Sequence, residues 1–136
     1  MTDLRDRIEG IFVRAPFMEL LGVQLVDVGE GWVKTKVALT DQLRQQHGYV
    51  HAGVVSTLAD HTAGAAATTA VEEGMSVLTA DYSIHLLRPG GGKVLEAHGE
   101  IVRAGQTLVV AQADVWAEDK HCARYIGTMA VVPRRM

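Results

Sequence analysis

The chain has a single cysteine, Cys122, in 136 residues. No disulfide can close within it, and no Cys pair is present to anchor a structural zinc site. Without a partner thiol or a nucleophile motif around it, Cys122 reads as a small apolar strand residue. No apolar run reaches the length of a membrane-spanning helix. The opening stretch, MTDLRDRIEGIF, mixes acids with bases and has no apolar centre, so it is not expected to act as a signal peptide. There is no basic excess either. The formal net charge is −3, whereas nucleic-acid binding requires a basic surface. A soluble cytoplasmic protein is expected, with neither nucleic acid nor membrane as a partner.

Several catalytic motifs are also missing. Gly90-Gly91-Gly92 has the look of a phosphate loop but lacks the GK[ST] ending, and no helix follows it. A strand-to-strand turn is expected there. No Gly-x-Ser-x-Gly elbow exists, so a Ser-His-Asp hydrolase has no support. His47 and His51 are four apart, but Gly48 and its polar neighbours place His47 ahead of a helix, and no third ligand stands at a metal-site spacing. No metal and no organic cofactor are expected.

What is present suits a globular core. Hydrophobic residues make up 48% of the chain and charged residues 21%. The length corresponds to one domain, 1–136, which includes an N-terminal helical segment, 1–21. Leu4, Ile8, Ile11 and Phe12 share one face of a short helix from Asp3 to about Arg14, and Pro16 separates it from a second helical piece ending at Leu21. A strand from Gly22 to Asp27 and an alternating one from Trp32 to Leu39 suggest a hairpin. The longest helix is expected from His51 to Glu73, closed by Gly74. It is apolar or small nearly all round, as in a helix buried on most sides. Four strands follow, Ser76–Leu87, Lys93–Arg103, Gln106–Ala117 and His121–Val132, and their short connections suggest an antiparallel meander. Val109, Ala111, Ala113 and Val115 should face inward. One long helix against one antiparallel sheet is an α+β architecture, and a curved sheet of about six strands wrapped round the helix would explain its apolar character.

Within that helix Asp60 stands out. A carboxylate among small apolar residues needs a partner or a wet pocket. It is either a functional group or a structural one paired with an arginine or a hydroxyl, and pattern alone leaves both open. The helix start, Val50-His51-Ala52-Gly53, offers backbone N–H groups without intrahelical acceptors, which suit a polarised carbonyl. His51 and Asp60 are nine residues apart, roughly 13 Å along one helix at about 1.5 Å per residue. If both serve one carbonyl, two chains must combine with antiparallel helices.

These residues fall into a recognisable pattern. Gln45-Gln46-His47-Gly48-Tyr49-Val50-His51-Ala52-Gly53, then Leu58-Ala59-Asp60, is similar to N/Q-x-x-G-x-x-H-G-G followed by L-A-D/E. Leu86-Leu87-Arg88-Pro89-Gly90 and Val102-Arg103-Ala104-Gly105-Gln106-Thr107 match further family segments. From about Gly22 to Val132 the chain resembles the hotdog-fold thioesterases, specifically the phenylacetyl-CoA thioesterase (PaaI-like) group. The resemblance implies an acyl-CoA substrate and a homodimer or homotetramer. It implies that Asp60 is nucleophile or general base, that the Ala52 N–H holds the thioester oxygen, that Gln45 orients water or substrate and that His51 shapes the pocket. Gly53 would allow close substrate approach, Arg88 would meet CoA phosphates, and Tyr82 with Ile84 would line an apolar acyl pocket. Two positions depart from the pattern. Ala52 replaces a glycine, and Gly64, one turn after Asp60, lacks the hydroxyl that some relatives carry, for which Thr62 or Ser56 could substitute. A hotdog 3-hydroxyacyl thioester dehydratase or hydratase and a non-catalytic acyl-CoA-binding protein are the competing readings.

Overall fold

The computed structural model describes residues 3–135, so the outermost residues of the expected 1–136 domain, Met1, Thr2 and Met136, lie outside the described residues. Two short helices, α1 (Leu4–Val13) and α2 (Pro16–Leu21), open the fold. A hairpin of β1 (Gln24–Gly29) and β2 (Trp32–Ala38) follows, then the long helix α3 (Ala52–Thr68). The remaining strands are β3 (Met75–Leu86), β4 (Val94–Ala104), β5 (Leu108–Ala117) and β6 (Lys120–Pro133). All six strands form one antiparallel sheet in the order β1-β2-β4-β5-β6-β3. This is the expected hotdog architecture, with the sheet curved round α3.

Strand alternation decides what faces the helix. Val33, Thr35 and Val37 of β2, Leu95 and Ala97 of β4, and Val109, Ala111, Ala113 and Val115 of β5 are all buried, while the intervening residues turn outward. On α3, Val55, Leu58, Ala59, Ala63 and Ala67 pack against them. Ile8, Phe12 and Met18 of the N-terminal helices cover another side through Ala65 and Ala66. Thr62 and Thr35 are buried too, and they satisfy each other through a 2.7 Å hydroxyl–hydroxyl bond. Cys122 is a buried strand residue, and burial raises its thiol pKa.

The close seat of the helix depends on Gly99. A Cβ there would lie 2.7 Å from the Thr62 carbonyl oxygen and 2.9 Å from its carbon, inside van der Waals contact with backbone that cannot step aside.

Two expectations are corrected. The long helix ends at Thr68 rather than at Glu73. The hydroxyls of Thr68 and Thr69 bond back to the carbonyls of Gly64 and Ala66, and the amides of Thr69, Ala70 and Val71 take three-residue bonds that tighten and end the last turn. Gly74, at φ +91°, instead makes the turn into β3. The four last strands are also not a meander. Only β4-β5-β6 run consecutively, β3 lies beyond β6 at the sheet edge, and β2 takes the place beside β4. The Gly90–Gly92 segment is therefore a crossover and not a hairpin turn. It passes the start of α3, where the Gly90 carbonyl accepts the Val50 N–H at 2.9 Å.

Gly99→Ala should destabilise the fold by about 1–3 kcal/mol, the usual cost of overpacking. Gly91→Ala, where an added Cβ meets nothing within 4 Å, should be close to neutral. Urea midpoints of the two variants check the contrast; equal midpoints would show that the helix can lift off the sheet freely.

Candidate active site

Burial on most sides leaves α3 one partly exposed strip, on which Ser56, Asp60 and Gly64 lie one turn apart. Asp60 is half-buried there. Thr79 Oγ1 donates to its Oδ1 at 2.9 Å, and the Tyr125 hydroxyl donates to the same oxygen. Among the described residues no arginine pairs with Asp60, so of the two structural partners considered only hydroxyls are found. The Tyr125 ring is fully buried and stacks on Tyr82, with ring centres 5.0 Å apart. Burial, then the hydrogen bond to Asp60 and its charge, raises the Tyr125 pKa far above the ordinary tyrosine value, so the phenol stays a donor.

A β-bulge makes this arrangement possible. Thr79 pairs with Met129 and Asp81 with Thr128, which leaves Ala80 unpaired. Residues three apart on a regular strand face opposite sides. The extra residue resets the alternation, so Thr79 and Tyr82 both face the helix. Thr79, Ala80, Asp81, Tyr82 and Asp60 together line an open depression of about 450 Å³.

His61, the next residue on α3, turns toward α1 instead. Its ring meets Phe12 edge-on at 4.7 Å, and burial lowers its pKa, so it stays neutral.

The start of α3 forms a second concavity, of about 690 Å³, lined by Gln45, His51, Ala52, Leu86 and Arg88 among others. His51 is the N-cap, and its Nδ1 accepts the Gly53 N–H at 2.8 Å, which puts the ring hydrogen on Nε2. The His51 carbonyl takes the amides of Val54 and Val55. Among the described residues this leaves the Ala52 N–H as the one uncommitted amide at the helix start. Gln45 Oε1 folds back on the amides of His47 and Tyr49, closing the loop and leaving its Nε2 hydrogens as donors. Arg88 and Pro89 arrive from the crossover after β3. His47 sits in the loop before the helix, beside Gly48 at φ +88°.

The sequence-derived residues thus divide into two groups. Gln45, His51, Ala52 and Arg88 line the helix-start concavity, while Asp60 and Tyr82 line the other. Gly53 lies on the exposed helix start, beside the His51 ring. Thr62 is a correction. It is fully buried beneath the sheet with its hydroxyl bonded to Thr35, so it neither reaches substrate nor supplies the hydroxyl missing at Gly64. Thr79 and Tyr125 were not anticipated. They lie 19 and 65 residues from Asp60 in the chain, and only strand pairing and the bulge bring them to it.

Comparison with known proteins agrees with this fold. Residues 47–123 match the model of the thioesterase superfamily, and the chain belongs to that family. A thioesterase family protein from Silicibacter pomeroyi superposes with a TM-score of 0.93 at 31% identity, over 97% of this chain and 100% of the other. The PaaI protein from the phenylacetic acid degradation operon of E. coli shares the fold, with a TM-score of 0.86 at 20% identity over 95% and 93% of the two chains. In sequence, a 1,4-dihydroxy-2-naphthoyl-CoA hydrolase from Listeria monocytogenes is 25% identical over 74% of this chain and 81% of its own.

The elevated Tyr125 pKa has a consequence at high pH. The unfolded phenol ionises near its reference value of 10.0 while the folded one does not. The stabilising contribution is therefore complete below pH 10 and lost as pH rises above it. Tyr125→Phe should flatten this alkaline loss and cost about 1.5–3 kcal/mol at neutral pH through the bond to a charged acceptor. Denaturant unfolding of both proteins across the alkaline range checks it. Parallel pH profiles would contradict the assignment.

Proposed function

We propose that the protein hydrolyses the thioester of an aryl- or short/medium-chain acyl-CoA to the free acid and CoA, in a site shared by two copies of the chain. The single observation that carries this reading is the division of the chemistry along α3. A carboxylate held by two hydroxyls stands mid-helix, and one open amide stands at the helix start. Eight residues separate Ala52 from Asp60, about 12 Å of straight helix, too far for both to meet one carbonyl. Two copies with their α3 helices antiparallel would bring Asp60 of one beside the Ala52 amide of the other. The β3 edge supports this pairing, because it is twelve residues long and leaves Leu78, Tyr82 and Leu86 exposed. Two such dimers join as a tetramer only by burying a further face, so the dimer is the minimal active unit and the tetramer its extension.

In this site the Ala52 N–H and the positive end of the helix stabilise negative charge on the thioester oxygen. Asp60 attacks the carbonyl carbon itself, or removes a proton from a water that does. The C–S bond then breaks; in the first route the acyl group stays on Asp60 as a mixed anhydride that water cleaves to the free acid, and in both routes the proton released by that water ends on the CoA sulfur. Gln45 Nε2 orients the water or the acyl group, and the His51 ring and Gly53 shape the entrance. Tyr82 and Ile84 form an apolar wall for the acyl group, and the naming of the Listeria relative supports an aromatic one. Arg88 is the contact for CoA phosphates at the helix-start side. Membership of the thioesterase family favours hydrolysis over the hydratase reading. A free Cys122 thiol fits the reducing cytoplasm, and the chain 1–136 is taken as one domain.

Asp60→Asn keeps an oxygen for Thr79 and Tyr125 but removes the charge. It should lower kcat at least about a hundredfold, the low end for acid–base catalysis, with KM little changed. Steady-state kinetics and a melting curve of a folded variant test this, and near-normal kcat would remove Asp60 from the chemistry. Light scattering at assay concentration should show a dimer or larger, and an active monomer would defeat the two-copy site.

A further inference from the structure

The arginines of this acidic chain are unevenly placed. Arg7 of α1, Arg14 at its C-terminal cap, and Arg134 and Arg135 beyond β6 line one cleft of about 600 Å³, between α1, the start of β3 and the end of β6. No acidic residue lines it, and among the described residues none of the four arginines is in an ion pair. Four like charges around one cleft favour a bound polyanion. Arg7 is already oriented, since its Nη2 donates to the carbonyls of Val71 at 2.9 Å and Glu72 at 3.3 Å. Ile11, Met75 and Pro133 add apolar surface beside the charges.

The cleft and the Asp60 depression lie along the same strand, β3. Met75 lines the cleft and Thr79, the hydroxyl donor to Asp60, lies two alternations further on the same face. From Thr79 back to Met75 is four residues, about 13 Å of strand, and an extended pantetheine arm is longer than that.

We infer that the Arg7–Arg14–Arg134–Arg135 cleft binds the phosphorylated nucleotide end of the substrate, on the same copy whose Asp60 acts on the thioester. The inference rests on the acyl-CoA reading above and adds a phosphate site to it, distinct from Arg88. The guanidinium groups take the phosphates in forked hydrogen bonds, and the apolar wall takes the flat base.

The test compares one acyl group on CoA with the same group on N-acetylcysteamine, which has no nucleotide. Arg7 is left intact because it ties α1 to the turn after α3. In the combined variant Arg14→Gln, Arg134→Gln, Arg135→Gln, the ratio of kcat/KM for the CoA ester to that for the truncated ester should fall at least about tenfold, the least expected from losing a charged hydrogen bond. Calorimetry with adenosine 3′,5′-bisphosphate should show binding to the parent that weakens with salt and is lost in the variant. Inorganic pyrophosphate binding equally well would overturn the nucleotide assignment in favour of a general phosphate site. An unchanged ratio in the folded variant, or a preference abolished by Arg88→Gln alone, would overturn the cleft while leaving the thioesterase reading intact. If neither ester is hydrolysed but the bisphosphate binds and the variant loses it, the phosphate site stands and the hydrolysis reading falls.

Discussion

The close contact between α3 and the sheet governs everything else in this molecule. Small residues allow it: Gly99 on the sheet and Ala59, Ala63 and Ala67 on the helix. A helix seated this deeply has almost no side available for polar groups. The strip with Ser56, Asp60 and Gly64 is what remains, so a carboxylate on α3 must stand at the open side of the fold. Its setting follows from the same contact. Tyr125 is buried because the sheet closes over the helix, and its hydroxyl has Asp60 within reach.

The helix start obeys a related economy. A helix leaves its first amides without internal acceptors, and here nearly all are claimed locally. His51 takes one with its ring and two with its carbonyl. The Gln45 loop is closed by its own side chain rather than by contacts with the helix. What survives is a single directed donor in a concavity shaped by loop backbone. The crossover after β3 completes the wall, because β3 is carried to the far edge of the sheet and the chain must return past the helix start to reach β4.

How much was legible in the sequence follows from the range of the interactions. Alternation in β2, β4 and β5 is a local signal, and Val33, Leu95 and Val115 are buried as it predicts. The small, apolar character of α3 likewise announced a helix enclosed by sheet. The end of that helix was misjudged because Thr68 and Thr69 look like ordinary helix residues until their hydroxyls turn back on the backbone. Strand order was misjudged because short connections favour adjacent pairing, and nothing local to Gly90–Gly92 shows that β6 has already claimed β3. At the site, Asp60 and the His51–Gly53 start could be read from spacing. Thr79 and Tyr125 could not, since their approach to Asp60 depends on pairing across the sheet. Thr62 was misplaced because it is two residues from Asp60, and on a helix that separation points the two side chains to different sides.

The unpaired residue in β3 gives that strand something like a reading frame. Ahead of Ala80, odd-numbered positions such as Val77 and Thr79 face the helix; beyond it, even-numbered positions such as Tyr82 and Ile84 do. Yet the frame shifts only in the numbering, not in the ladder: Thr79, Asp81 and Tyr82 lie opposite Met129, Thr128 and Gly127 and still alternate inward, outward, inward. Ala80 is thus a parenthesis in the strand. Its loss would leave Tyr82, Ile84 and Leu86 facing the helix in a regular ladder, and the loss of a paired neighbour could be absorbed by drawing Ala80 into the vacated place.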